Sequence, residues 1–221
     1  FYQLVLAMQK VAAEQGAYFH FNQNIDQIIV EQGQVKGLIV NGEFLVFDSI
    51  IASCDYHHTE TLLEPNMRNY DEKYWASRTF APSCLIYYLG FNERIPNLKH
   101  HTLFFENDLD EHVANIYNTK KWPEKPLFYA CCPSKTDPSV APEGCENLFL
   151  LIPLATGLSD AESMREKYLY EMLERIEKHT GTKNLKSKLD YKKSYCVSDF
   201  INDYNAYGGN AYGLANTLNQ T

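Results

Sequence analysis

The sequence predicts an α+β fold, in which one helix and a small antiparallel meander precede a larger mixed or antiparallel sheet flanked by helices. The helix is predicted because apolar residues recur at helical spacing before a stop at Gly16, namely Leu4, Val5, Met8, Val11 and Ala12. The meander is predicted because short apolar segments are separated by tight turns. The larger sheet is predicted from apolar segments bounded by Pro, Asn, Asp and Gly clusters.

The meander follows Gly16. Its predicted strands are residues 17–22, 25–30, 35–40, 43–47 and 49–53, with turns at 31–34 and at Asn41 and Gly42. Turns of this length join antiparallel neighbours. In strand 43–47 both alternations are apolar, so we expect both faces of that strand to be covered.

The sequence pattern changes near Asp55, where the second group of predicted elements begins. Helical stretches, a break at Pro65 and many charges predict a domain boundary at residues 55–60. The strands predicted after it are 84–91, 101–105, 112–117, 127–132 and 147–153. Residues 159–162 read as a capping box, which predicts a helix from Ser159 to about Gly181. Its apolar stripe is Met164, Tyr168, Met172, Leu173 and Ile176.

Composition excludes several classes of protein. The net charge is -8 and the pI is about 5.4, without the basic clusters that nucleic-acid binding needs. Six cysteines lack C-x-x-C spacing and no signal peptide precedes them, so we expect reduced thiols in a cytoplasmic protein. No apolar run reaches the roughly 18 residues of a membrane-spanning helix, although contact with a bilayer surface stays open. The many aromatic residues fill ordinary cores or line an extended apolar tunnel.

No self-contained active site is visible. The sequence has no G-x-S-x-G, no H-E-x-x-H, no P-loop and no G-x-G-x-x-G, and no catalytic residue is assigned. The pairs His57/His58 and His100/His101 would place neighbouring side chains on opposite sides of an extended chain, so no metal site is predicted.

Several segments, taken in order, resemble the carotenoid desaturase family, the phytoene dehydrogenases within the flavin amine oxidase-like superfamily. The first segment carries Asn24, Ile25 and Ile28, then Asp48, Ile50 and Ile51, then Ser53, Cys54, Asp55, His57 and His58. Cys54 departs from the residues usual at its place. A Pro-x-x-Ala-Pro-x-Gly turn at residues 138–144 matches a second segment. Residues 209–214, GNAYGL, resemble the family's Gly-Ser-Ala-Phe-Gly-Leu run.

The resemblance implies a domain plan and a cofactor. Residues 1–55 would be part of a GR2-type FAD-binding domain, 56–200 a substrate-binding domain, and 201–221 a segment returning to the FAD domain. The Gly-rich fingerprint of the family is not in this sequence, so we expect an internal fragment of a protein that binds FAD when complete and binds it poorly or not at all as this chain alone. The implied cofactor residues are Ile25, through its main chain near the adenine, and Ser53 and Asp55, where the chain crosses between domains beside His58.

The implied reaction is dehydrogenation of a long polyisoprenoid hydrocarbon, with hydride transfer to the flavin. Such a substrate can be held only by burial of apolar surface, and its solubility in lipid implies peripheral membrane contact. The residues expected to line its channel are Tyr87, Phe91, Phe149, Leu151, Tyr207 and Tyr212, each of which also suits an ordinary core. The alternatives left open are a carotenoid isomerase, a saturase, an amine oxidase, and a non-enzymatic isoprenoid-binding protein of the GDP-dissociation-inhibitor type.

Overall fold

The computed structural model describes residues 2–220 and contains α-helices and two antiparallel sheets. The helices are α1 (Tyr2–Glu14), α2 (Tyr56–Thr61), α3 (Glu72–Ala76), α4 (Leu109–Tyr117), α5 (Glu162–Thr180) and α6 (Val197–Tyr204). The strands are β1 (Ile25–Glu31), β2 (Gln34–Val40), β3 (Glu43–Val46), β4 (Ser83–Phe91), β5 (His101–Phe104), β6 (Phe128–Cys131), β7 (Glu146–Leu154) and β8 (Leu189–Tyr195). Across residues 2–220, no helix combines the length and the apolar character needed to cross a membrane.

The chain divides into two compact units. The first comprises the residues up to Ala52 together with Thr59–Asn69, and the second comprises Ser53–His58 and the residues from Tyr70 onward. The three domain ranges predicted from the sequence stay predictions.

The first unit contains α1 and the meander β1-β2-β3. Both turns have positive φ at two successive residues, 50° and 74° at Gln32 and Gly33 and 48° and 81° at Asn41 and Gly42. This is the turn type whose twist suits an antiparallel hairpin, and Asn and Gly adopt it at little cost. The predicted helix, the three strands and both turns are therefore confirmed.

Two predicted strands of the first unit are wrong. Residues 17–22 and 49–53 do not belong to either sheet of the described chain, since an extended segment becomes a strand only where a neighbour accepts its backbone hydrogen bonds. The prediction that both faces of β3 are covered also fails, because Phe44, Leu45 and Val46 are all exposed in this unit.

The second unit is built on a five-stranded sheet of order β5-β6-β7-β4-β8, and all its pairings are antiparallel. Strands β4 and β7 pair along their whole length, from Ser83 opposite Leu154 to Phe91 opposite Glu146. One face of the sheet forms the core against α5, whose buried residues include Tyr168, Leu169, Met172, Leu173 and Ile176. The predicted apolar stripe is confirmed, as is the end of α5 at Gly181, whose φ of 77° is the left-handed cap that glycine favours.

The predicted capping box at Ser159 is wrong, because α5 begins at Glu162 with Ala161 as its N-cap. Asp160 is engaged instead with the guanidinium of Arg165 and with Ser198, at 2.6 and 3.0 Å. Those tertiary contacts hold residues 159–161 outside the helix, and they outweigh the local capping preference.

The strand predicted at residues 112–117 is also wrong, because these residues belong to α4. The Asp108 side chain accepts hydrogen bonds from the backbone N–H groups of Asp110 and Glu111, and those two acidic residues occupy the first turn. An acidic cap and acidic first turn stabilise a helix through its terminal N–H groups and dipole.

Candidate functional site

The face of the five-stranded sheet opposite α5, called here the open face, carries apolar and aromatic side chains. Along β4 the residues alternate, so that Leu85 and Tyr87 enter the core while Ile86 and Tyr88 point the other way. Along β7, Phe149 and Leu151 lie on the open face. An antiparallel sheet with only one face on a core normally turns polar residues outward. The open face departs from that rule.

Strand register aligns the open-face residues into two rows. The first row crosses the sheet as His101, Cys131, Phe149, Tyr88 and Lys193. The second row crosses it as Leu103, Tyr129, Leu151, Ile86 and Tyr195. The Phe149 ring makes edge contacts with Tyr88 and Tyr129, with centroids 5.5 and 6.2 Å apart. The centre of the face is therefore an aromatic and aliphatic strip.

Helix α4 covers one end of this strip. The His112 ring, 4% exposed, accepts a hydrogen bond at Nδ1 from the Leu127 N–H and donates from Nε2 to the Pro153 carbonyl, both at 2.9 Å. This arrangement engages both ring nitrogens and ties α4 to the sheet. Between α4 and the sheet lies a cavity of about 180 Å³ with an apolar lining that includes Leu103, Val113 and Leu151.

The predicted substrate residues fall into three places. Phe149 and Leu151 lie on the open face. Tyr87 and Phe91 are buried in the core below α5, where the Tyr87 hydroxyl donates to the Arg165 carbonyl and burial raises the pKa of Tyr87. Substrate contact by Tyr87 and Phe91 stays a prediction, and their burial gives it no support.

Tyr207 and Tyr212 belong to the region of Asp55. The Tyr207 ring packs between His57 and Phe80, with centroids 4.5 and 4.9 Å away, whereas Tyr212 is 74% exposed. Neither residue is part of the two rows on the open face, and their role as substrate contacts stays a prediction.

Asp55 holds the glycine-rich segment 207–214 in place. Its carboxylate accepts hydrogen bonds from the Tyr207 N–H and the Asn210 amide at 3.3 and 3.0 Å. The segment also pairs with residues 79–82, since Ala211 N–H donates to the Pro82 carbonyl at 3.1 Å. Asp55 thus acts as an anchor for its own chain.

Ile25 and Ser53 complete the predicted cofactor set. Ile25 is the first residue of β1 and pairs with Val40, and Ser53 is exposed. Contact of Ile25, Ser53 and Asp55 with a cofactor stays a prediction.

Gly209 is required by close packing in this segment. Its φ is +68°, and a Cβ there would lie 2.5 Å from the Val197 carbonyl oxygen. We expect Gly209→Ala to lower the free energy of unfolding by about 2–3 kcal/mol, through backbone strain and displacement of the α6 N-terminus. Gly213→Ala is the matched control, because φ there is +80° but no atom lies within 4 Å of the added Cβ. Urea unfolding that gave equal losses for the two variants would rule out the steric contribution.

The premise that excluded a metal site is wrong for both histidine pairs. His57 and His58 lie on α2, and His100 lies in a bend before β5, so the alternation of an extended strand applies to neither pair. The rings of His100 and His101 stack with centroids 4.2 Å apart.

Known proteins with sequences similar to this chain are carotenoid and phytoene desaturases. A carotenoid 3,4-desaturase from Haloarcula japonica is 37% identical over 219 residues, which are 99% of this chain and 44% of that protein. A zeta-carotene-forming phytoene desaturase from Myxococcus xanthus is 27% identical over 99% of the chain and 43% of that protein. The chain is thus similar to carotenoid and phytoene desaturases over almost its whole length. The resemblance noted in the sequence is thus confirmed, and the chain spans less than half the length of these desaturase relatives.

An oxidoreductase from Methanosarcina mazei has a similar fold, with a TM-score of 0.55 and 17% identity over 86% of this chain and 40% of that one. No protein-family profile matches the chain.

Sequence reasoning found two residues of the open face and missed their partners Ile86, Tyr88, Tyr129 and Leu103. Side chains alternate between the two faces along β4 and β7, but this alternation identifies the residues that share a face only when the pairing of the strands is known. Because Tyr88 pairs with Phe149 and Ile86 with Leu151, one correct pairing would have found both partners on β4.

Proposed function

We propose that this chain is the substrate-handling part of an FAD-dependent desaturase that dehydrogenates a long polyisoprenoid hydrocarbon. The observation that carries the proposal is the apolar open face, with Phe149 and Leu151 at its centre, in a chain similar to carotenoid desaturases. In this proposal residues 1–55 are part of a GR2-type FAD-binding domain, residues 56–200 form the substrate-binding domain, and residues 201–221 return to the FAD domain.

The open face suits a hydrocarbon because such a substrate offers no hydrogen-bonding group. Its binding must come from apolar surface removed from water, at about 25 cal/mol per Å². Tyr88 and Leu103 are 46% and 62% exposed, so the face has apolar area available for contact. The edge contacts of Tyr88 and Tyr129 with Phe149 fix the ring that lies between them.

The chain supplies only part of a flavin site. Its 221 residues contain no G-x-G-x-x-G, so a pyrophosphate cradle would come from other residues of the full-length protein. We place Ile25, Ser53 and Asp55 near the cofactor, on the basis of the family resemblance. A bound flavin would supply the hydride acceptor, and the adjacent carbon of the substrate would lose a proton. The open-face residues hold and orient the hydrocarbon and keep water from it.

Contact with a membrane surface is part of the same proposal, because the substrate dissolves in lipid. The contact surface in this proposal consists of exposed apolar side chains beside the α4 cavity. They include Leu103, Phe105, Leu109 and Val113, which are 43–62% exposed.

The decisive experiment incubates the full-length protein and FAD with phytoene in liposomes, and separates the products by chromatography. We expect products with additional conjugated double bonds and co-flotation of protein with the liposomes. The 221-residue chain alone is the control, and we expect it neither to retain flavin nor to react. Conversion of an amine but not of phytoene, or isomerisation without desaturation, would refute the proposed reaction.

A further inference from the structure

The cluster of His100, His101 and Cys131 is the strongest unassigned group of ligating side chains in the described residues. One nitrogen of each ring and the Cys131 sulfur all lie within 4.8 Å of one another. The fold brings them together, because His101 pairs with Cys131 across β5 and β6 and His100 lies in the bend just before β5. His101 is exposed and the other two are half-buried, so the cluster is accessible from solvent.

The two rings are held in position by neighbouring hydroxyl groups. His100 Nδ1 lies 2.6 Å from Thr136 Oγ1, and His101 Nδ1 lies 2.6 Å from the Tyr129 hydroxyl. No hydrogen bond within residues 2–220 engages Nε2 of either ring. Such hydrogen bonds to one nitrogen orient an imidazole that ligates a metal through the other.

We propose that His100, His101 and Cys131 form a binding site for a thiophilic divalent cation of the zinc class. Two imidazoles and a thiolate are ligands that Zn²⁺ prefers, with bonds of about 2.0–2.1 Å to nitrogen and about 2.3 Å to sulfur. Those bonds imply donor separations of roughly 3.3–3.6 Å in a tetrahedron, so side-chain torsions must close the cluster by an ångström or so. Three protein ligands leave a fourth position for water.

The proposed cation site does not depend on the proposed desaturase activity. His101 and Cys131 lie at one end of the first open-face row, with Cys131 opposite Phe149, and neither is among the residues predicted to contact the hydrocarbon. Failure of one proposal therefore leaves the other intact.

The test is titration of the purified, thiol-reduced protein with Zn²⁺ against a chromophoric chelator and with Co²⁺ by absorption. We expect about one equivalent of metal and a thiolate-to-cobalt charge-transfer band. Cys131→Ser should abolish the band, and His101→Ala should weaken Zn²⁺ binding at least ~100-fold. Thr136→Val keeps every ligand but removes the hydrogen bond to His100, and it should weaken binding about tenfold.

Cys54→Ser is the matched control, because Cys54 is an exposed thiol outside the cluster. This variant should retain both the band and the affinity. A band that survives Cys131→Ser, or that is lost in Cys54→Ser, would overturn the proposal, as would the absence of any band in the unmodified protein. Circular dichroism of each variant checks that the fold is retained.

Discussion

Arg165→Ala is expected to lower the free energy of unfolding of the second unit by about 3–5 kcal/mol, because it leaves the largely buried Asp160 and the partly buried Asp199 carboxylates without their cation. The Arg165 side chain is 10% exposed. It binds Asp160 at 2.6 Å and Asp199 at 2.7 Å. Further donations go to the hydroxyls of Ser194 and Ser198 and to the Asp160 carbonyl. Those contacts join the start of α5 to β8 and α6.

The same substitution should change the acid response of the protein. Burial raises the pKa of Asp160, but the Ser198 N–H hydrogen bond and the charge of Arg165 together bring it below its ordinary value. A carboxyl with a lowered pKa in the folded state stabilises the fold above its ordinary pKa of about 3.9, and this contribution is lost as the pH falls through the lowered value. Without Arg165, burial remains and the pKa of Asp160 should rise, so the acid-dependent loss should shrink.

Urea unfolding between pH 2.5 and 7 measures both effects. Arg165→Lys is the matched control, because it keeps the charge but offers three donors in place of the guanidinium fork. We expect its loss of stability to lie between those of the unmodified protein and Arg165→Ala. A loss below ~1 kcal/mol for Arg165→Ala at pH 7 would show that this network contributes little to stability.

The elements predicted correctly are those whose signal is local. Both hairpin turns of the first unit have glycine at the second position of positive φ, after Gln32 in one turn and Asn41 in the other, and α5 also ends at a glycine. The α5 start was misplaced because the partners of Asp160 include Ser198, which is remote in sequence. Strand β8 was missed because LDYKKSY is mostly polar, and its pairing with β4 is what makes it a strand.

The open face was only half predicted, for a related reason. A single strand that is apolar on both alternations, such as β7, does not reveal which of its faces meets the core. Helix α5 decides this by covering Leu148, Leu150 and Ile152 and leaving Phe149 and Leu151 on the other side. The family resemblance implies the proposed class of substrate, whereas the residues proposed to contact it depend on packing between remote segments.

Phe149→Asp should abolish most of the proposed desaturase activity. Phe149 lies on β7 at the centre of the open face, where its ring contacts Tyr88 and Tyr129. It is also the register partner of Tyr88 on β4. A carboxylate there must lose water when a hydrocarbon binds, and it gains no hydrogen bond in return. A cost of about 2.7 kcal/mol or more corresponds to at least a ~100-fold fall in kcat/KM.

The measurement is steady-state desaturation by the full-length protein, with unfolding followed in parallel. Phe149→Leu is the matched control, because it keeps an apolar side chain at the same place and should stay within about tenfold of the unmodified enzyme. Since Phe149 is half-buried on the side away from α5, the core residues Leu148 and Leu150 keep their packing in both variants. If Phe149→Asp remains folded and converts phytoene at an undiminished rate, the hydrocarbon does not bind on the open face, and the substrate site must be sought elsewhere in the protein.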